Sequence, residues 1–330
     1  MKNTNNFQIA GINIPSNLVL APLAGYSDYS MRKICADNKA GLLYTEMESC
    51  ESLYYNSLQT KKDLQDTHLD KQSEGKSKLA LQIFGGKKDI ILKTIPMFEQ
   101  LADYDFLDFN CGCPVNKVIK QNAGSAWLNR TDELIDLMKE MVKISSKPVI
   151  IKIRIGFNNI IDVVSLCKSL ENVGVKAIAV HGRTRSEFFS GEIHYDVINK
   201  IKQSVNIPII ANGGIDSENF QDVLNKTNAD ALMIGQKAIG YPKIFENIFL
   251  REQGLEVEKD TLTRQINDLK KQMGLIYSIK DEYQASQLLR SVAVHYIKGF
   301  DNVKKYRIAL VHCQSKQDYY NVISNMQNEQ

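Results

Sequence analysis

The chain has 330 residues, 43% of them hydrophobic and 24% charged, with a formal net charge of +3. Those proportions exclude a disordered or fibrous protein, and no apolar run approaches the roughly 20 residues that span a bilayer, so no membrane partner is expected. The length suits a barrel of about 250 residues with a smaller appendage, and so small a net charge points to no class of partner by itself.

The polar, Asn-rich start, residues 1–7, lacks the basic region and apolar run of a signal peptide. Six scattered cysteines, at positions 35, 50, 111, 113, 167 and 313, make no disulfide framework. A reducing compartment, the cytoplasm, is the expectation. Going along the chain, eight short apolar segments favour strands: 18–20, 41–45, 79–84, 104–109, 149–155, 177–180, 207–210 and 231–234. Helix-length amphipathic stretches such as 133–144 and 161–173 separate most of them. Eight such units predict an α/β fold of the (β/α)₈ TIM-barrel kind, and no Gly-X-Gly-X-X-Gly follows any strand to suggest a Rossmann site. The polar stretch 59–78, with five lysines and four acids, reads as a solvated loop.

The fourth segment ends in Asn110-Cys111-Gly112-Cys113-Pro114, which places both thiols on a tight loop at a strand's C-terminal end. A thiol at its reference pKa of about 8.5 is roughly 97% protonated at pH 7, so without a base beside it it donates a proton better than it attacks. Cys113 is therefore the candidate general acid, and Cys111 is assigned to packing. Cys-X-Cys with no second pair does not make a zinc site, and no metal is expected.

The other segment ends supply Pro22 and Ala24, Glu46, Gln82, Lys152, His181, Asn212 and Gly235, polar or backbone-exposing residues where a barrel carries its active site. Asn212-Gly213-Gly214 and Gly235-Gln236 end the last two strands, where barrels hold phosphate on backbone amides; a phosphate-bearing cofactor is implied. Beyond residue 240 the pattern changes. A charged, linker-like stretch, 251–261, precedes helical segments at 264–275, 283–296 and 303–311. Within residues 290–307, five basic residues (Arg290, Lys298, Lys304, Lys305 and Arg307) face one acid, Asp301. Such an excess is either a solvated helix face or a grip on phosphates.

With these motifs in view, the sequence resembles the tRNA-dihydrouridine synthases, FMN enzymes that reduce uridines in tRNA. The likeness runs from Ala21-Pro22-Leu23-Ala24-Gly25-Tyr26-Ser27-Asp28 through Gln82-Ile83-Phe84-Gly85, the Asn110–Val118 stretch and Lys152-Ile153-Arg154. It continues through His181-Gly182-Arg183-Thr184-Arg185 and Ile210-Ala211-Asn212-Gly213-Gly214 to Met233-Ile234-Gly235. The resemblance implies an FMN-binding catalytic barrel over residues 1–245 and a helical tRNA-binding domain over 251–330. It implies that Pro22, Leu23 and Ala24 contact the isoalloxazine, Gln82 its pyrimidine edge, and Asn212, Gly213, Gly214, Gly235 and Gln236 surround the ribityl phosphate, with Lys152 and His181 between. A cation at the end of strand five suits the negative charge of reduced flavin. NADPH or NADH would reduce FMN, and Asn110 and Arg183 would hold the uracil.

The chain departs from the family in having Gln236 where an arginine is usual, Tyr195 where a tryptophan is usual, and a less basic 291–295 segment. The expected protein is a cytoplasmic monomer acting on tRNA. Its rivals are a small-molecule FMN pyrimidine reductase of the dihydroorotate dehydrogenase type, which has no use for a basic helical tail, and a barrel that binds RNA without catalysis, against which Cys113, Lys152 and Gln82 speak.

Overall fold

The computed structural model describes residues 7–72 and 76–329. A hairpin of β1 (Phe7–Ile9) and β2 (Ile12–Ile14) comes first. Eight parallel strands follow: β3 (Leu18–Leu20), β4 (Leu42–Ser49), β5 (Lys78–Phe84), β6 (Phe106–Cys111), β7 (Val149–Arg154), β8 (Ile178–His181), β9 (Ile209–Asn212) and β10 (Ala231–Ile234). Each pairs with the next, and β10 returns to β3 through Leu232 opposite Leu18, which closes the barrel. The (β/α)₈ expectation holds. Residues 1–6, most of the polar start, lie outside the described residues.

Strand residues alternate between two apolar environments, which is why these runs read as almost continuously hydrophobic. Leu107 and Phe109 of β6, with Ile151 and Ile153 of β7, pack outward against the surrounding helices. Val19, Leu42, Tyr44, Ala80, Phe106, Ile150 and Ile210 point inward, and Ile9 and Ile14 of the hairpin join them, so the hairpin seals the end where the strands begin. Burying such a side chain stabilises by roughly 1.5–3 kcal/mol, whereas a polar one on the same inward face costs free energy unless it is hydrogen-bonded. On β5 to β9 polar inward residues, Gln82 to Asn212, take over toward the C-terminal ends, and they make up the site described below.

After the barrel, helices Leu262–Ile279, Glu282–Tyr296, Lys304–His312 and Lys316–Asn328 enclose a second core. The last of them was not among the expected segments; Ser315 and Asp318 start it with a capping box. This helical region docks on the first barrel helix, Tyr29–Asp37, where buried Gln272 donates to Ser30 Oγ at 3.2 Å and accepts from Tyr296 Oη at 2.6 Å. Gly240 sits at the junction with φ +70°, and a Cβ there would lie 2.4 Å from the His295 carbonyl carbon. Only glycine allows that approach.

Three expectations need correction. Residues 59–78 are not simply a loop: they include most of helices Leu58–Gln65 and Thr67–Gln72, which bury Thr60, Leu64 and Thr67 and tie Asp70 to buried Arg32 at 2.6 Å (residues 73–75 lie outside the described residues). The linker-like stretch begins inside a helix, Ile244–Glu252. The fourth barrel strand runs on to Cys111, so that thiol ends a strand and does not sit on the loop.

Candidate active site

Strand parity assembles the site. Phe106 faces the barrel interior, so Asp108 and Asn110 of β6 do too; the same count brings Lys152 and Arg154 of β7, His181 of β8 and Asn212 of β9 to the mouth. Register then makes neighbours of Gln82 and Asp108, Asn110 and Lys152, Arg154 and His181, and His181 and Asn212. Residues between 82 and 212 thus share one end of the barrel.

A hydrogen-bond chain runs through them, and its direction is fixed by the backbone. The N–H groups of Gly112 and Cys113 donate to Asn110 Oδ1 at 3.1 and 2.9 Å, so Asn110 Nδ2 must be the donor to Gln82 Oε1 at 2.7 Å. Gln82 Nε2 in turn donates to Asp108 Oδ2 at 2.7 Å. Gln82 is fully buried, with its amide engaged by Asp108 and Asn110. Asn110 spends its Oδ1 on the turn that carries Cys113 and its Nδ2 on Gln82. Asp108, to which the sequence assigned no role, anchors the chain; its signal was an acid at an inward position of an apolar strand.

Cys113 lies just above this network, half-buried. Its carbonyl accepts from Ser125 N at 3.1 Å and Ser125 Oγ at 2.8 Å. Gly124, at φ +60°, leaves room for the turn, since a Cβ there would meet the Cys113 carbonyl oxygen at 2.9 Å. Burial pushes the thiol pKa up, against a backbone hydrogen bond at Val115 and the nearby cations of Lys152 and Arg154, so the thiol holds its proton at neutral pH. Cys111 faces the outer packing layer with no exposure. All six thiols are free.

The mouth is rich in positive charge. The Lys152 ammonium is lowered to about 8, by burial first and then by Arg154, while Asp108 and Cys113 pull it back. Burial raises Asp108 to about 7, opposed by its bond from Gln82, by Lys152 and by Tyr44. Arg154, 1% exposed, donates only to backbone carbonyls: Gly112 at 2.9 Å, Thr184 at 2.7 Å and Phe188 at 2.8 Å. His181 is driven down to about 2, by burial first and then by Lys152, Arg154 and Arg183, so its ring is neutral. Its buried Nε2 has no partner among the described residues. A site with cations from Lys152, Arg154 and Arg183 and an unsatisfied imidazole nitrogen fits an anionic, polar group.

The remaining predicted residues rim the same mouth. Asn212 Nδ2 donates to Met233 O at 2.8 Å, and Tyr195 Oη to Gly213 O at 2.9 Å. Gly213 and Gly214 both have positive φ, and Gly214 and Gln236 are exposed. Lys237, next to Gln236, lies 3.4 Å from Asp216. Across the mouth, Pro22 and Leu23 are half-buried and Ala24 is exposed. Glu46 acquires a structural account here: its Oε2 accepts from Gly25 N at 2.6 Å and so holds the turn after β3. Arg183 is half-buried and donates from Nε to Gly191 O at 2.5 Å. Among the described residues no group of His, Cys, Asp and Glu could hold a metal ion, and no helix is long and apolar enough to cross a membrane.

The family model described as dihydrouridine synthase matches residues 19–330. The tRNA-dihydrouridine synthase B of Vibrio cholerae is 32% identical over 304 residues, which cover 91% of this chain and 92% of that protein. The Pseudomonas aeruginosa protein of the same name is 36% identical over 243 residues, covering 73% and 71%. Among solved structures, the chain is similar to an old yellow enzyme homologue from Zymomonas mobilis (TM-score 0.54, 13% identity, 79% of this chain and 95% of that one). It is also similar to morphinone reductase in complex with tetrahydroNAD (TM-score 0.54, 13% identity, 79% and 93%). At those identities the likeness is one of fold.

Proposed function

The chain belongs to the dihydrouridine synthase family, and on that premise we propose that it reduces uridine to 5,6-dihydrouridine in tRNA, with FMN as its cofactor and NADPH or NADH as electron donor. The observation that carries this reading is the Cys113 thiol held beside a buried cationic mouth by the Asn110–Gln82–Asp108 chain. When bound, FMN supplies a hydride to C6 of the uracil.

The chain's own residues do the rest. Cys113 delivers a proton to C5 through its Sγ, and the thiolate left behind is reprotonated from solvent, so one hydride and one proton add across the C5=C6 bond. Lys152 offers a fixed positive charge to the pyrimidine end of the cofactor. Gln82 fixes the floor beneath it. Pro22, Leu23 and Ala24 provide the surface on which the ring lies, His181 offers its neutral imidazole, and Asn212, Gly213, Gly214, Gly235 and Gln236 receive the phosphate. Arg183 holds the uracil with the rest of its guanidinium, and Asn110 acts on it by holding the Cys113 turn.

We read residues 1–245 as the FMN domain and 251–330 as the tRNA-binding domain of a cytoplasmic monomer. To test the activity, tRNA from a strain lacking the gene is incubated with the purified protein, FMN and NADPH. Specific uridines should gain the mass of two hydrogens; a fully FMN-loaded protein that leaves such tRNA unchanged would sink the reading.

Four of the five residues of the basic cluster divide into two sets by their contacts, and the fifth, Lys304, is exposed. Arg290 donates to Cys313 O at 2.9 Å, and Lys305 pairs with Glu329 at 2.5 Å. Lys298 and Arg307 are exposed, and both depress His295, whose ring meets Tyr26 of the β3 loop edge-on at 5.9 Å. This face adjoins the barrel mouth, so it is the better grip for RNA. Replacing Lys298 and Arg307 by glutamate should weaken tRNA binding and flatten its salt dependence by about 0.7–0.9 per lost phosphate contact, with FMN content unchanged. Equal slopes for variant and wild type would place the grip elsewhere.

A further inference from the structure

The loop after β8 carries two adjacent phenylalanines on its outside, Phe188 at 43% and Phe189 at 46% exposure. One exposed ring would need no explanation. This pair is held in place. Phe188 has φ +53°, a region that bulky residues rarely occupy, so the loop accepts local strain to keep the ring where it stands. Its carbonyl accepts from the buried Arg154 at 2.8 Å and its N–H donates to Arg185 O at 3.1 Å. The two rings meet edge-on at 4.7 Å, and Phe189 lies 6.3 Å from the His181 ring and 5.5 Å from the Arg154 guanidinium. The pair therefore stands beside the mouth on a fixed backbone.

Its surroundings select a partner. Arg183 and Arg185 flank the loop. Of the two acids in the loop, Glu192 is exposed near its end, and Glu187, beside the rings, is engaged on both oxygens, accepting from Thr184 N at 2.6 Å and pairing with His194 at 3.0 Å. Exposed aromatic faces rimmed by cations are the chemistry of single-stranded nucleic acid: the rings take a base, and the guanidiniums take phosphate. We infer that Phe188 and Phe189 form a stacking platform for an unstacked nucleotide next to the reacting uridine. The inference rests on the proposed function, because a polynucleotide substrate brings the bases next to the reacting uridine to the mouth.

The full-length, FMN-loaded protein tests this with Phe188→Ala, Phe189→Ala and the matching tyrosine variants. Each alanine should raise the tRNA dissociation constant and KM by about 5- to 150-fold, the range expected for one stacked base. The rate at saturating tRNA should hold within about twofold, and the FMN dissociation constant, read by flavin fluorescence, should not move. Tyrosine should restore tRNA binding, since it keeps the ring face. Unchanged tRNA affinity in both alanine variants would overturn the inference, and so would a loss of FMN affinity, which would make the rings part of the cofactor site. Wild-type protein that reduces no tRNA would count against the parent reading; wild type that reduces it while the variants bind it equally well would count against the platform alone.

Discussion

Cys113→Ala is expected to lose about a hundredfold or more in uridine reduction, the usual size of a general-acid effect, while FMN remains bound and the nicotinamide still reduces it. The expectation follows from what holds the loop. The turn rests on backbone N–H groups bonded to Asn110, on Ser125 and on the absence of a side chain at Gly124; none of these depends on the sulfur. Losing the thiol therefore removes the proton and little else. Cys111→Ala should behave in the opposite way, because its side chain packs among outward-facing apolar residues: stability falls by about 1 kcal/mol and the chemical step is nearly unchanged. Single-turnover measurement on pre-reduced enzyme separates the two, and a reversed pattern would move the acid to Cys111.

Lys152→Met should bind FMN and yet lose about a hundredfold in the rate of cofactor reduction or hydride transfer, the scale of removing one preorganised charge from a dry site. No carboxylate lies within ion-pair distance of this ammonium among the described residues, so its charge is directed at whatever occupies the mouth. The pH dependence has a definite sign. With a pKa of about 8, Lys152 is charged below that pH and neutral above it, so the wild-type rate should fall as pH rises through about 8. A bound anion moves that fall to higher pH. Arg154, Asp108 and Cys113 face the same amine, so the check is comparative: Lys152→Met should lose the alkaline limb that wild type shows. The same limb in both proteins would assign it to another group.

Much of this site was legible in the sequence because strand ends are. An apolar run that closes on Asn, Lys, His or Asn-Gly-Gly marks its C-terminal end, and eight such ends in a barrel must converge. What the sequence withheld was pairwise. Strand parity puts Asp108 inside, but that it orients Gln82 depends on the β5–β6 register, and that the Asn110 oxygen is taken by its own turn depends on two backbone N–H groups. Glu46 gained its partner, Gly25, across a bulge in β4 that no local pattern announces. The helices at 58–72 looked like loop because their apolar face is narrow, and the buried Arg32–Asp70 pair that fastens them joins residues far apart in the chain. The hairpin at Phe7–Ile14 has strands of three residues, too short for periodicity to register.

The seam between β3 and β10 gives the barrel a history as well as a shape. Val19 and Leu20 are among the earliest barrel residues to be synthesised, yet one of their neighbouring strands, Ala231–Ile234, is made roughly two hundred residues later. At typical rates of synthesis that interval is on the order of ten to forty seconds, during which one edge of β3 has no strand to bond to. The hairpin before it needs only its own residues and pairs at once. A nascent chain halted before β10 therefore carries an open parallel edge beside an uncovered apolar interior, the combination most prone to pairing with another chain. The strand made last determines when the first is protected.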